Sequence, residues 1–241
     1  MRIMFIGAHP DDFEYYCAGT FVKYHKQGGH EFFVAIATNG NIGSFREQDQ
    51  QRLADIRRQE ALNSCKMIGA KLIWMNFNDE YLIDSVEVRN AFIDAVREAR
   101  PDVIFTTYRF ADYNPDHDIC GYMAFIARIN ATIPLIKTAH EPTTTIPPMF
   151  YCPPSGHFWE FKPDYFVDIS DEMETKLKMW DCHRSQSASD WSGDMFKCDP
   201  IDGMIHGCGL MGFQIGVKYA EAFQLSKSWP IGSTAPHKLL P

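Results

Sequence analysis

Residues 2–12 read Arg2-Ile3-Met4-Phe5-Ile6-Gly7-Ala8-His9-Pro10-Asp11-Asp12. An apolar run over 2–8 stops at His9 and runs into a polar turn. A run this short, bounded this way, is a strand buried on both faces. It is also too short for the apolar core of a signal peptide. Outward from it the same unit recurs. Glu31 to Ala37 (EFFVAIA), Lys71 to Met75 and Val103 to Thr107 (VIFTT) read as strands. Helical stretches separate them. Residues 16–27 are stopped by Gly28-Gly29, and 47–68 carry Leu53, Ile56, Glu60, Ser64 and Ile68 along one stripe. Residues 85–99 are closed by Pro101, and 117–131 follow. Strands alternating with helices predict an α/β fold: a Rossmann-like, mostly parallel sheet with helices on both faces and right-handed crossovers. In such a sheet ligands bind at the carboxyl ends of the strands.

Beyond residue 133 the texture changes. Residues 134–163 hold seven of the fourteen prolines, which excludes regular helix and predicts a long Pro-rich loop. Its aromatic residues argue for an ordered loop packed near the site. Tyr165 to Ile169 resumes a strand, Ser170 is the expected N-cap of a helix over 171–183, and the Gly-, Asp- and Ser-rich stretch 187–213 is expected to be loop. Residues 214–224 close with a short strand or helix. One domain over 1–241 is the simplest reading.

Composition bounds the partners. Lys and Arg number 23 against 31 Asp and Glu, a net charge of −8. The acidic balance argues against a nucleic-acid partner and against a polybasic membrane anchor. No apolar run approaches the roughly 18 residues of a membrane span. Seven cysteines without a CxxC pair suggest reduced thiols and a cytoplasmic protein rather than a disulfide framework.

Three strand ends carry polar residues suited to chemistry: His9-Pro10-Asp11-Asp12, Thr38-Asn39-Gly40-Asn41-Ile42-Gly43, and the segment from Thr106 to Asp118 with Asn114-Pro115-Asp116-His117-Asp118. Two adjacent carboxylates and a histidine on one turn repel and desolvate unless a cation neutralises them. Imidazole and carboxylate suit zinc, and a catalytic zinc site takes three protein ligands, so His117 is a candidate third. The alternative is that Asp11 and Asp12 cap the next helix while His9 is an ordinary loop histidine. From the residues alone both readings stand.

A resemblance adds to this. GAHPDDFEYYCAGT is similar to the opening motif of the PIG-L / LmbE-like zinc-dependent N-deacetylases. ATNGNIGSF with LADIRRQEALNSCKMIGA resembles the family's second strand, glycine loop and Arg-x-x-Glu helix. RPDVIFTTY with NPDHD resembles its fourth strand and third metal motif. VDISDEMETKLKMWDCHRSQ and KYAEAF resemble the late blocks. The resemblance implies one zinc ion per chain on His9, Asp12 and His117, with Asp11 as the base that activates water. It implies that Arg57 contacts sugar hydroxyls, the substrate being an N-acetylglucosamine-type sugar or glycoconjugate. Arg57 and Glu60 stand at i, i+3 and are placed to pair. Asn39, Asn41 and Ser44 shape the loop below the pocket. Oligomerisation is common in similar proteins and leaves a homo-oligomer open, although nothing in the sequence identifies an interface.

One departure matters. The family usually reads His-Pro-Asp-His where this chain has Asn114-Pro115-Asp116-His117. The missing histidine serves the oxyanion, with the following acid orienting it. Asn114 donates from its amide but carries no proton or charge, so it is either a weaker stabiliser or hands the role to His157, His183 or His206. Asp116 is expected to fix Asn114 or His117 rather than touch substrate. Tyr15, Tyr16, Phe45, Tyr113, Phe158 and Trp159 are candidates for stacking on a sugar or aglycone. A zinc- or sugar-binding protein with weak or lost catalysis is the alternative that Asn114 supports. A Rossmann oxidoreductase is set aside, because the first strand lacks a Gly-x-Gly-x-x-Gly turn.

Overall fold

β1 (Arg2–Gly7) occupies the middle of the sheet because both its faces are apolar. Ile3 and Phe5 point to one side and Met4 and Ile6 to the other, and all four are fully buried. The computed structural model describes residues 1–110, 112–155, 161–186 and 199–230. After β1 come α1 (Asp12–Tyr16), α2 (Ala18–Gln27), β2 (Glu31–Thr38), α3 (Gln50–Lys66), β3 (Lys71–Phe77), α4 (Val86–Ala99), β4 (Val103–Thr106) and α5 (Pro115–Asn130). The later elements are β5 (Met149–Tyr151), β6 (Tyr165–Asp168), α6 (Met173–Trp180), α7 (Pro200–Ile215) and β7 (Ala220–Leu225).

The sheet order is β3-β2-β1-β4-β5-β7-β6. β3, β2, β1, β4 and β5 run parallel, and β7 lies antiparallel between β5 and β6. α1, α2, α6 and α7 pack on the Ile3–Phe5 face, and α4 and α5 on the Met4–Ile6 face. The chain is therefore the α/β, mostly parallel fold that its pattern predicts. β1 pairs with β2 on one flank and β4 on the other. That is where the strand order reverses, and it opens a crevice at the carboxyl ends of β1 and β4.

β7 is tied in by charge as well as by its ladder. Lys176 of α6 lies 2.5 Å from Glu221 of β7, with neither side chain more than 1% exposed. The Glu221 carboxylate also accepts N–H from Gly19 at 2.9 Å and Thr20 at 2.7 Å, satisfying the first turn of α2. Burial alone would lower the Lys176 ammonium, and Glu221 outweighs it and pushes it up. Glu221→Gln leaves a buried ammonium without its counter-charge, and urea unfolding should show a loss of about 3 kcal/mol or more.

Several expected boundaries need correction. Pro200–Ile215 is a helix rather than part of a loop over 187–213. Gly203, Gly207, Gly209 and Gly212 argue locally against helix, each by about 1 kcal/mol relative to Ala. Tertiary packing overrides them: a Cβ on Gly212 would stand 2.8 Å from the backbone of Val217–Tyr219, so only glycine lets α7 lie this close to the turn into β7. The usable signals were Asp199, whose side chain accepts from Ile201 N, Pro200 in the first turn, and Gly216 in the left-handed position at the C-terminus. Ser170 does not cap α6. Its hydroxyl donates to Asp168, and Glu172 stands at the N-cap without a side-chain bond. The Pro-rich stretch contributes a strand, β5, beside β4. All six described cysteines are free, while Cys198 lies outside the described residues. No described helix is long and apolar enough to cross a membrane.

Candidate metal centre and active-site cavity

The turn after β1 is built around Asp12. Its Oδ2 accepts from the backbone N–H groups of Ala8 at 2.7 Å and His9 at 2.9 Å. Its Oδ1 is left for the crevice, 3.2 Å from His117 Nε2 and 3.8 Å from His9 Nδ1. Those two imidazole nitrogens are 3.0 Å apart. Neither carboxylate of the turn caps a helix: Asp11 is at the N-cap of α1 but makes no side-chain capping bond. The sheet thus brings His9, Asp12 and His117 together across more than a hundred residues of sequence, with all three buried.

The far side of each ring faces carboxylate. His9 Nε2 lies 3.0 Å from Asp79 Oδ1 and 3.6 Å from Asp116 Oδ2, and His117 Nδ1 lies 3.1 Å from Asp112 Oδ1. Carboxylates there favour the proton on the far nitrogens and turn the near lone pairs toward one point. Two lone pairs and a carboxylate oxygen at these separations repel unless positive charge lies among them. Donors about 2.0–2.1 Å from a tetrahedral zinc stand about 3.4 Å apart. The observed 3.0, 3.2 and 3.8 Å bracket that spacing. The donor set therefore fits a zinc ion. The same carboxylates set the electrostatics of the two rings. Burial would lower both histidines, but Asp116, Asp12 and Asp79 push His9 well above its ordinary value, and Asp12 and Asp112 push His117 up to about 9. Burial would raise the Asp12 carboxyl, and His117 and His9 hold it well below the usual carboxylate range. A second grouping, His9 with Asp79 and Asp116, shares the same ring. Asp116 already accepts N–H from Glu80 at 2.8 Å and Leu82 at 3.1 Å, so it braces His9 from behind.

Asp11 lies beside this cluster and is held by Arg57 of α3, whose Nη2 donates to Asp11 Oδ1 at 3.0 Å. Arg57 is 3% exposed, and its Nη1 reaches the Gly40 carbonyl at 3.3 Å. The expected Arg57–Glu60 pair does not form. Glu60 instead accepts from the Ser185 N–H and hydroxyl, because the two side chains leave the helix toward different neighbours. Gly40 has φ +65, and a Cβ there would meet Arg57 Nη1 at 2.4 Å. Gly40→Ala should therefore displace Arg57 from Asp11 and lose about 1–2 kcal/mol of stability, read by thermal melting. Asn39 and Asn41 shape the loop as expected. Asn39 accepts from Asn41 N, and Asn41 accepts from the N–H of Asp79.

A cavity of about 890 Å³ opens over His9, Asp11, Asp12, His117 and Arg57, and Asn114 lines it. Asn114 is also the N-cap of α5: its Oδ1 accepts from Asp116 N at 2.8 Å. Asp116 is fully buried and outside the cavity wall; its carboxylate supports the 80–82 loop, while its backbone N–H holds the Asn114 side chain. Tyr15, Tyr16 and Tyr113 line the cavity, whereas Phe45 does not. His206 reaches it, and His183 is buried elsewhere, 3.1 Å from Glu14. His157, Phe158 and Trp159 lie outside the described residues. Sequence reasoning missed Asp79, Glu80 and Asp112. Asp79 and Glu80 follow β3 and Asp112 follows β4, and the available signal was acidic residues beyond a strand end.

The chain matches the GlcNAc-PI de-N-acetylase (PIG-L) family over residues 4–127. Diacetylchitobiose deacetylase of Thermococcus kodakarensis is 30% identical over 193 residues, covering 78% of this chain and 71% of its own. The 4-oxalmesaconate hydratase of Pseudomonas putida is 23% identical over 187 residues, covering 75% of this chain and 72% of its own. Among solved structures, N,N'-diacetylchitobiose deacetylase from Pyrococcus horikoshii superposes with a TM-score of 0.81 at 28% identity, over 99% of this chain and 88% of that one.

Proposed function

Because the chain belongs to the GlcNAc-PI de-N-acetylase (PIG-L) family, we propose that it is a zinc-dependent amide hydrolase that removes an N-acetyl group from an N-acetylglucosamine-type sugar or glycoconjugate. The observation that carries this reading is the convergence of His9 Nδ1, Asp12 Oδ1 and His117 Nε2, with Asp11 held beside them by Arg57. A zinc ion on those three residues supplies Lewis-acid chemistry, polarising a carbonyl and acidifying water to a pKa of about 7. Asp11 takes a proton from water as the water oxygen adds to the acetamide carbon. The carbonyl oxygen gains negative charge, and the amide of Asn114, which lines the same cavity, donates to it. Asp11 returns the proton to nitrogen as the carbon–nitrogen bond breaks, leaving acetate and a free amine on the sugar. Arg57 orients Asp11 and has its remaining surface on the cavity for a substrate hydroxyl. Asp112, Asp79 and Asp116 orient the histidines.

The hydratase relative raises water addition to a polycarboxylate as a second reaction. Among the described residues lining the cavity, Arg57 is the one lysine or arginine, and Asp11 and Asp79 already face it. That favours a neutral sugar over a polyanion. Zinc analysis of protein prepared without chelator should find about one ion per chain, and acetate should be released from a panel of N-acetylated sugars. Protein that is folded and zinc-loaded yet releases acetate from none of them defeats the proposal.

A further inference from the structure

Glu80 sits in a backbone conformation that its side chain does not favour. Its φ is +65, in the left-handed region that suits glycine. Strain of this kind persists where neighbours impose it, and it gathers at functional sites. Two neighbours impose it here. The Glu80 N–H donates to Asp116 Oδ2 at 2.8 Å, and Glu80 Oε1 accepts from Asn114 Nδ2 at 2.7 Å. Glu80 and Asn114 both line the cavity over the metal centre.

The Asn114 carboxamide is thereby pinned at both ends. Its oxygen must face the Asp116 N–H and its nitrogen must face the Glu80 carboxylate. An amide nitrogen carries two hydrogens. One goes to Glu80, and the other has no acceptor among the described residues. The Asp116 carboxylate, on the acid that follows the motif's first residue in the resemblance above, is not free to hold the Asn114 nitrogen, because its oxygens hold the N–H groups of Glu80 and Leu82. Resting on the deacetylase reading, the geometry points to Glu80 as a positioning residue: it holds Asn114 with its second N–H available to the cavity, as a neutral donor for the oxyanion formed during amide hydrolysis.

The test uses Glu80→Gly, which suits the positive φ and removes the anchor, and Glu80→Gln, which keeps an acceptor. With diacetylchitobiose as substrate, Glu80→Gly should melt no lower than wild type yet lose about 10-fold in kcat, a part of the 10²–10³ that a whole oxyanion donor supplies. KM should hold within about twofold, since the donor acts on charge that develops after binding. Glu80→Gln should recover most of kcat, and Glu80→Gly should have no further effect in an Asn114→Ala background. Equal losses in both backgrounds, or Glu80→Gln as slow as Glu80→Gly, overturn the proposal. A second readout needs no turnover. The Asn114 side-chain amide, followed by nitrogen-15 NMR in metal-free and zinc-loaded protein, should show one downfield, slowly exchanging proton that Glu80→Gly abolishes. An amide indifferent to residue 80 overturns the positioning role whatever the activity. A responsive amide in a protein that deacetylates nothing overturns the function and leaves the anchor standing.

Discussion

Asp12→Asn should yield a folded protein that does not bind zinc. The side chain keeps its shape and an oxygen for the N–H groups of Ala8 and His9, which Asp12 Oδ2 holds at 2.7 and 2.9 Å. Its new NH2 turns to the His117 and His9 nitrogens, where Oδ1 now lies at 3.2 and 3.8 Å. An amide donor satisfies those lone pairs without a cation and presents hydrogen where an ion needs an electron pair. Losing even a residue that only orients a ligand weakens metal binding about 10–100-fold, so losing a ligand should exceed that. In wild type, zinc at a hundred times its Kd should add about 2.7 kcal/mol to stability. Thermal melts with and without zinc should show that increment in wild type and its absence in Asp12→Asn, with acetate release gone. A variant that keeps stoichiometric zinc after dialysis removes Asp12 from the ligand set.

Asp11→Asn should do the opposite to the metal and the same to turnover. Asp11 makes no capping bond and is not among the converging ligand atoms, so zinc content should stay near one per chain. Its carboxylate is the proton carrier of the proposed reaction, and positioned general acid–base groups contribute about 10²–10⁴ in rate. Asparagine cannot accept and return that proton at neutral pH. Arg57 loses its closest carboxylate but keeps the Gly40 carbonyl at 3.3 Å and Asp79 at 3.9 Å, so the loop should hold. kcat should fall by about 10³ with zinc unchanged. A kcat within threefold of wild type would reassign the base.

Much of the fold was readable because strands buried on both faces announce themselves locally. Ile3 to Ile6 and Phe32 to Ala37 are apolar at every position, and glycines, prolines and polar turns bound them. α7 was not readable. Its four glycines oppose helix one residue at a time, and their reason, the close pass of Gly212 over Val217–Tyr219, is a contact the local pattern does not contain. Arg57 pairs with a different neighbour from the one its spacing suggests. Spacing along α3 offers Glu60, whereas the packing of the Gly40 loop turns the guanidinium to Asp11.

The sequence by itself determined the alternation of strand and helix, the His9-Pro10-Asp11-Asp12 turn at the end of β1, and the chemistry those side chains are able to perform. Only the tertiary structure decided that His117 meets that turn, that Asp79 and Asp112 stand behind the two rings, and that Glu80 takes the Asn114 amide. Hydrophobic periodicity is written into neighbouring residues and acts over one turn or one pleat. A cluster assembled from the ends of β1, β3 and β4 depends on strand order and register, which many segments set together.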